Sequence, residues 1–440
     1  MARFKPRSTA PVPERALLVG VDLGTAAWPL RDSMAELGRL AVTDGAVVVG
    51  QLTQRLRKPV SRTFIGSGKT EELVRMVRAL DVDVVIFDDE LTPSQQTSLE
   101  RIVGDSVKVI DRTALILDIF GKHATTHEGR LQVQLAQLQY VLPRLRGMWS
   151  HLVGEQARGG IGSRFGQGES QLEIDRRLVR DRISHLCREL KELDKRRRMQ
   201  SRARWDSGIY RVALVGYTNA GKSTLLNRLT GADVYARDEL FATLDPTTRS
   251  LDLKAGRRIT LTDTVGFIQK LPTNLVESFK STLAEARAAE LVLKVADASD
   301  PNCERQIDAV DAILADIGAA DIASVVVYNK CDQLDREVVH GMEALHPDAE
   351  FVSALTGTGT DGLLYRIARE AARGDVTITS LIPHDKGLLV KLVHERGQIV
   401  RERYEQGGLL VTARVPRRMA DTLEPYGVSD AGEAQGRVGA

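Results

Sequence analysis

The octapeptide GYTNAGKS at residues 216–223 constrains this chain more than any other stretch, because it lies between an apolar run at 212–215 and a helical pattern at 224–229. A glycine-bounded loop closing in Gly-Lys-Ser, entered from a strand and left through a helix, has the form of a phosphate-binding loop. Gly216 and Gly221 let the backbone curl with its N–H groups turned inward, Lys222 reaches the β- and γ-phosphates, and the Ser223 hydroxyl can ligate Mg²⁺. On this motif alone, a glycine-rich turn between strand and helix stays open.

Forty residues past Ser223, the strand-like run 259–261 ends in Asp263-Thr264-Val265-Gly266. Asp263 would hold Mg²⁺ through water, and the Gly266 N–H could sense a γ-phosphate. A DxxG by itself is commonly a simple turn. A buried-strand pattern at 325–328 then leads into Asn329-Lys330-Cys331-Asp332. A carboxylate at Asp332 accepts two hydrogen bonds from the ring N–H and exocyclic amine of guanine, a donor pair that adenine lacks. Left unpaired, that carboxylate rejects the wrong base. Asn329 would fix the loop and touch the base edge, while the stem of Lys330 covers its face. Ser353-Ala354-Leu355, after the short run 350–352, could finish the pocket with backbone contacts. The expected lining for GTP or GDP thus includes Tyr217, Thr218, Asn219, Ala220 and Thr224 beside the residues already named.

Further runs carry a resemblance. Phe241-Ala242-Thr243-Leu244-Asp245 opens FATLDPTTR at 241–249, where a first switch belongs, and DTVGFIQKLP follows at 263–272. Outside the nucleotide region stand FDDELTPSQQ at 87–96, VIDRTALILDIF at 109–120 and LQVQLAQL at 131–138. Together these resemble the translation-factor-related GTPases of the Obg-HflX superfamily and, within it, the ribosome-associated HflX family, over most of the chain. Thr243, Thr247 and Thr248 compete for the switch role that ligates Mg²⁺, and spacing alone does not choose. The resemblance places that role on Thr243, with Phe241, Ala242, Leu244 and Asp245 beside the nucleotide. It implies Lys222, Thr243 and Gly266 as catalytic groups, and Ser223 and Thr243 as metal ligands.

Phe267 follows Gly266, where Ras-like enzymes keep a water-positioning glutamine, and a phenyl ring cannot orient a nucleophile. Slow intrinsic hydrolysis is expected, with stabilisation from a partner or another charge. In related GTPases an asparagine at the place of Asn219 helps to hold K⁺, while an asparagine that merely tolerates the loop's backbone is an equal reading. A second glycine-lysine run, Gly66-Ser67-Gly68-Lys69-Thr70, reads as a decoy that opens a helix at 71–80, since Thr63 stands where the first glycine belongs; the resemblance keeps ATP binding there as the alternative.

The 440 residues suggest about three or four domains by usual domain size. The expected fold is α/β multidomain, in six segments. A flexible start at 1–15 leads to an N-terminal α/β unit at 16–121, in which apolar runs at 46–49, 82–87 and 107–110 alternate with helical stretches. Then come a basic helical hairpin at 122–206, a P-loop GTPase domain at 207–375, a small α+β domain at 376–428 and a disordered tail at 429–440. Asp88, Asp89 and Glu90 at a strand end could hold a metal, although in the family they look structural. Cys187, Cys303 and Cys331 are too widely spaced for a disulfide framework or zinc cluster, which suits a reducing compartment. No apolar run approaches the roughly twenty residues that cross a bilayer, and 1–13 is no signal peptide. A cytoplasmic, monomeric protein is expected, with peripheral membrane association left open.

Net charge is only +2, yet residues 122–205 hold 18 Lys and Arg against 9 Asp and Glu, so the remainder is acidic. Leu131, Leu135, Leu138, Leu142 and Leu145 form one heptad-like stripe, and Leu172, Val179, Ile183, Leu186, Leu190 and Leu193 another. A glycine-rich run with Arg158 and Arg164 separates them, which predicts an antiparallel hairpin with a basic tip. The second helix, near thirty residues, would reach roughly 45 Å. Such a tip suits an RNA-lined cavity, with Arg158, Arg164, Arg176 and Arg177 meeting phosphates and Phe165 stacking on a base or folding back on the hairpin. In HflX relatives this loop approaches the peptidyl-transferase centre of the 50S subunit, which implicates 23S rRNA. The chain departs from the family's GTRGPGETQLE by an apparent extra residue and by Gln167 in place of proline, so individual tip contacts do not carry over. The resemblance implies splitting or rescue of 70S ribosomes under stress. Two alternatives stand beside it: a switch acting on a protein or membrane partner, and an NTP-driven RNA remodelling factor.

Overall fold

The computed structural model describes residues 13–24, 28–104, 106–145, 165–205, 209–231, 240–241, 244–253, 257–270 and 285–428. The described residues form two compact units. One takes in the described residues up to Lys191 with 240–241 and 268–270; the other takes in those of 192–231, 244–267 and 285–428.

In the first unit, β1 (Arg15–Asp22), β2 (Val47–Arg55), β3 (Val84–Phe87) and β4 (Lys108–Asp111) make a wholly parallel sheet in the order β2-β1-β3-β4. Parallel neighbours need crossovers, and α1 (Leu30–Asp44), α2 (Ser67–Ala79) and α3 (Pro93–Val103) supply them. Leu17, Val19, Leu73, Val85, Phe87 and Leu99 fill one face. Thr92 and Gln95 start α3 with a reciprocal capping box, Pro93 taking the first helical turn.

Helix α2 starts at Ser67, four residues earlier than its apolar pattern suggests. Gly66 sits at its N-cap with its N–H on Gln54 Oε1 at 2.9 Å, and Lys69 pairs with Glu72 at 2.8 Å. The Gly-Ser-Gly-Lys run thus forms the N-cap and first turn of α2.

Asp111 caps α4 (Arg112–His123), and Thr126 caps α5 (His127–Val141). The leucine stripe predicts helix as far as Leu145; α5 stops at Val141 because Pro143 brings no N–H to the next turn. Arg144 folds back, donating to Leu91 O at 2.7 Å and Asp111 Oδ2 at 3.2 Å while lying 3.5 Å over the Tyr140 ring. The Tyr140 hydroxyl donates to Asp111 Oδ1 at 2.9 Å, and burial, with that carboxylate, pushes its pKa well up.

Helix α6 (Phe165–Trp205) runs 41 residues, longer than its stripe predicts, or about 60 Å at the helical rise. His127 lies 3.6 Å from Glu189, and Arg182 donates to Gln134 at 3.1 Å. Early residues of α5 thus meet later residues of α6, an antiparallel pairing in which Leu186 is fully buried.

The second unit holds a six-stranded sheet in the order β10-β9-β8-β5-β7-β6. Its strands are β5 (Tyr210–Gly216), β6 (Thr247–Asp252), β7 (Arg258–Asp263), β8 (Leu291–Asp297), β9 (Ala323–Asn329) and β10 (Glu350–Phe351). Only β6 is antiparallel, against β7. Thr247 and Thr248 begin β6. Helices α7 (Lys222–Thr230), α8 (Cys303–Asp316), α9 (Arg336–Leu345) and α10 (Thr360–Ala371) accompany the sheet. Leu214, Leu225, Ile259, Leu293, Val327 and Ile367 belong to one continuous core. Continuous apolar runs suit strands covered on both faces, and they bring the loops after β5, β7 and β9 to one edge.

The same unit ends in an antiparallel sheet, β11 (Asp375–Ile382), β13 (Gly408–Pro416) and β12 (Gln398–Glu405), packed with α11 (Gly387–Arg396) and α12 (Arg417–Leu423). Leu409, Val411, Ala413 and Val415 give β13 one buried face. Arg257 joins the two sheets. Its Nη1 donates to Ala371 O at 2.5 Å and Asp375 Oδ2 at 2.8 Å, and its guanidinium lies 5.7 Å from the Tyr210 ring centroid.

Candidate functional site

The loop from β5 into α7 turns where Asn219 and Gly221 adopt left-handed φ values of 61° and 85°. Asparagine tolerates that region better than most residues and glycine does so freely. Gly216 answers a different constraint: a side chain there would run into the Val295 carbonyl of β8. Its smallness serves sheet packing as much as loop curvature.

Lys222 is buried, and its Nζ donates to the carbonyls of Gly216 at 3.2 Å and Tyr217 at 2.9 Å. An ammonium has three donors, so these bonds fix the head group inside the loop and leave capacity for a phosphate oxygen. Burial lowers its pKa to about 8, against the pull of Asp263. Bound phosphates would raise it again. Beside it, Ser223 Oγ donates to Asp263 Oδ2 at 2.6 Å, and Thr264 Oγ1 donates to Leu214 O at 2.8 Å. A hydroxyl and a carboxylate at hydrogen-bond distance are hard oxygen donors of the kind Mg²⁺ takes alongside phosphates and water. Among the described residues no group of three His, Cys, Asp or Glu could hold a metal, and Asp88 is taken up by Arg112.

The DTVG segment closes on the phosphate loop. Phe267 N donates to Gly216 O at 3.1 Å and Thr218 N to Phe267 O at 2.7 Å, so Tyr217 and Phe267 pair as a short parallel bridge. A side chain on Gly266 would stand 2.7 Å from Thr218 Cα and 3.2 Å from Lys222 Nζ. Only glycine fits this close to the phosphate loop and its lysine.

Buried Asn329 ties the pocket across. Its Nδ2 donates to Ala220 O and its Oδ1 accepts from Ala354 N, both at 2.9 Å. Lys330 has a φ of 65° and places Nζ 2.7 Å from Asp297 Oδ2, which orients its stem. Cys331 N donates to Val352 O at 3.2 Å, and burial pushes its thiol up to about 11. Asp332 lies exposed in the 3₁₀ turn Cys331–Gln333. Ser353 Oγ accepts from Thr356 N at 3.1 Å, and Arg228 Nε donates to Ala354 O at 3.0 Å and Nη2 to Leu355 O.

The loop residues 216–223, Thr224, Asp263 to Gly266, the 329–332 turn and 353–355 therefore gather at one edge of one sheet. Leu244 is buried and Asp245 half-buried in the same unit. Phe241 belongs to the first unit, with its ring edge-on to Phe120 at 4.6 Å. Ala242, Thr243, Arg158 and Arg164 lie outside the described residues. Phe165 is the first residue of α6, while Arg176 is half-buried and Arg177 exposed along it. Sequence reasoning missed Asp297 and Arg228, which hold the base loop from behind. The signal for Asp297 was available: a carboxylate closing an otherwise apolar strand at the loop edge of the sheet.

Comparison with known proteins agrees with this geometry. The family description "GTP-binding GTPase N-terminal" matches residues 31–121, "GTP-binding GTPase Middle Region" matches 123–204, and "50S ribosome-binding GTPase" matches 211–330. GTPase HflX of Caldanaerobacter subterraneus is 45% identical over 416 residues, 94% of each chain. The Escherichia coli GTPase HflX is 41% identical over 389 residues, covering 88% of this chain and 90% of that one. A GDP-bound GTP-binding protein from Sulfolobus solfataricus aligns with a TM-score of 0.42 and 23% identity, over 82% of this chain and 99% of that one. With 45% and 41% identity to HflX GTPases over 94% and 88% of its length, and a loop, metal-side carboxylate and base-reading turn gathered at one sheet edge, the chain belongs to the HflX family of GTPases and hydrolyses GTP.

Proposed function

We propose that this GTPase acts on the large ribosomal subunit, splitting or rescuing 70S ribosomes under stress in the cytoplasm, with hydrolysis accelerated by the ribosome. The observation that carries this reading is the charge excess of residues 122–205 on a segment that includes the 41-residue α6. A long basic arm concentrates positive field where a polyanion can meet it. The description "50S ribosome-binding GTPase" over 211–330 supports the same partner. In this reading 122–206 is the hairpin arm between an N-terminal unit at 16–121 and a GTPase domain at 207–375, and 376–428 is the C-terminal domain. Arg158, Arg164, Phe165, Arg176 and Arg177 would face 23S rRNA.

Within the pocket, Lys222 and the loop N–H groups bind the β- and γ-phosphates, the Gly266 N–H meets the transferred phosphoryl group, and Asp332 selects guanine with Asn329 holding its turn. Ser223 and Thr243, with Asp263 behind them, would hold Mg²⁺, which when bound neutralises charge on the β- and γ-phosphates. Phe267 excludes water but cannot orient it, so the chain's own residues leave that task to a partner or to K⁺ near Asn219. Differential affinity of the GTP and GDP states for the ribosome links turnover to release.

Purified protein is expected to hydrolyse GTP slowly and much faster with 50S subunits, and to co-sediment with them preferentially in one nucleotide state. Deleting residues 158–168 should abolish splitting while leaving GTP binding intact. Unaltered hydrolysis with ribosomes present, or unchanged splitting after the deletion, would refute the assignment.

A further inference from the structure

The turn from Ser353 to Thr356 is held amide by amide. Ser353 O accepts from Gly357 N at 2.8 Å, Ala354 N donates to Asn329 Oδ1 at 2.9 Å, and Thr356 N donates to Ser353 Oγ at 3.1 Å. Arg228 takes the two carbonyls between them: Nε donates to Ala354 O at 3.0 Å and Nη2 to Leu355 O. One backbone donor of the turn is left over, since among the described residues no acceptor takes the Leu355 N–H. The Leu355 side chain is 70% exposed and adds nothing to the core, so the backbone is what this residue contributes.

Arg228 lies on α7, six residues past Lys222, and both it and the turn belong to the second unit. It is a strut from the helix that carries the phosphate lysine to the base side of the pocket. A trans peptide sets its C=O and N–H in opposite directions. With the Ala354 carbonyl on the guanidinium, the Leu355 N–H is turned away from Arg228. The preceding N–H, that of Ala354, is already on Asn329, the side chain that ties the phosphate loop to this turn. A guanidinium is a planar fork whose donors hold two neighbouring carbonyls at once, which a lysine ammonium does not reproduce.

Guanine presents three groups in a row along one edge: the 6-oxo acceptor, the ring N–H and the exocyclic amine. An ionised carboxylate only accepts, so Asp332 answers the two donors and offers the 6-oxo group nothing. A backbone N–H is the complementary partner. Resting on the reading that Asp332 selects guanine, we propose that Arg228 is a positioning residue for base discrimination, fixing the peptide plane between Ala354 and Leu355 so that the Leu355 N–H donates to the 6-oxo group. Arg228 acts through the turn and not on the nucleotide. An exposed arginine thereby sets which purine the pocket accepts at position 6.

The test uses the full chain with Arg228→Ala and Arg228→Lys, at an exposed position. Affinities are measured by competition against ribose-labelled GDP for GDP, for 6-thio-GDP, in which sulfur replaces the 6-oxo oxygen, and for IDP, which lacks the exocyclic amine. The parent should bind GDP more tightly than either analogue. Arg228→Ala is expected to lose about tenfold for GDP, the scale of one charge-assisted hydrogen bond. It should lose far less for 6-thio-GDP, so that the two nucleotides come within about twofold of each other. The ratio of GDP to IDP should stay, because Asp332 is untouched, and kcat at saturating GTP should remain within about twofold. Arg228→Lys should restore part of the 6-oxo preference, and it carries the same comparison where the alanine variant fails to fold. An unchanged ratio of GDP to 6-thio-GDP in Arg228→Ala would overturn the proposal, and so would an equal fall in both ratios, the mark of a turn that has merely loosened. A parent that separates GDP from IDP but not from 6-thio-GDP overturns this proposal alone; one that separates neither overturns the Asp332 reading with it.

Discussion

Replacing Asn329 by alanine tests how much of the pocket one side chain holds. The amide makes two bonds, to Ala220 O in the phosphate loop and from Ala354 N in the base-side loop, each 2.9 Å and each buried. Alanine leaves a buried carbonyl and a buried N–H without partners, at about 1–3 kcal/mol each. Water reaching the pocket edge recovers part of this, leaving a net cost of about 2–4 kcal/mol. At about 1.4 kcal/mol per tenfold, GDP and GTP affinity should fall by about thirty- to several-hundredfold, with a smaller drop in the urea midpoint. Asn329→Asp refines the test. A carboxylate still accepts from Ala354 N but opposes the Ala220 carbonyl, so it should lose at least half of the alanine penalty. Affinities measured by fluorescence of a ribose-labelled GDP, with unfolding followed in parallel, separate loop placement from global stability. If Asn329→Ala bound GDP within twofold of the parent with an unchanged midpoint, the cross-tie would not be what joins the two loops.

Gly221→Ala meets both a left-handed φ of 85° and the Asn329 amide, so it should abolish GDP binding with far-UV circular dichroism unchanged. Arg257→Ala should lower urea stability by about 3–5 kcal/mol, because it strands buried Asp375 and the Ala371 carbonyl; GDP affinity of the folded fraction should not move. Asp332→Asn should weaken GTP by at least about a hundredfold and favour a xanthine nucleotide, read by competition against labelled GDP.

Much of the nucleotide site was legible because its motifs are backbone chemistry. Gly221 must turn left-handed, Lys222 must follow at the helix start, and Asp263 and Asn329 must close strands at one edge. None of this depends on distant partners. What depends on them was hidden. Arg112 reads as one charge in an apolar helix until the fold brings Asp88 and Glu36 to it. The Asp297 to Lys330 pair joins two strands far apart in sequence. The reach of α6 past Leu193 rests on the helix propensity of a charged run, which leaves no apolar stripe to count. Strand β12 escaped notice as well: an edge strand of mostly exposed residues, QIVRERYE, shows no alternation of buried and exposed positions.

The salt bridge at Arg257 lies at the opposite end of the six-stranded sheet from the phosphate loop, where β5 and β7 begin. Whatever is grafted beyond Asp375 hangs from the blunt end of the machine, one arginine and one carboxylate away from the catalytic unit. Substitutions confined to that appendage are expected to leave basal hydrolysis unchanged. The sharp end, crowded by Gly216, Gly221 and Gly266, grants no such liberty.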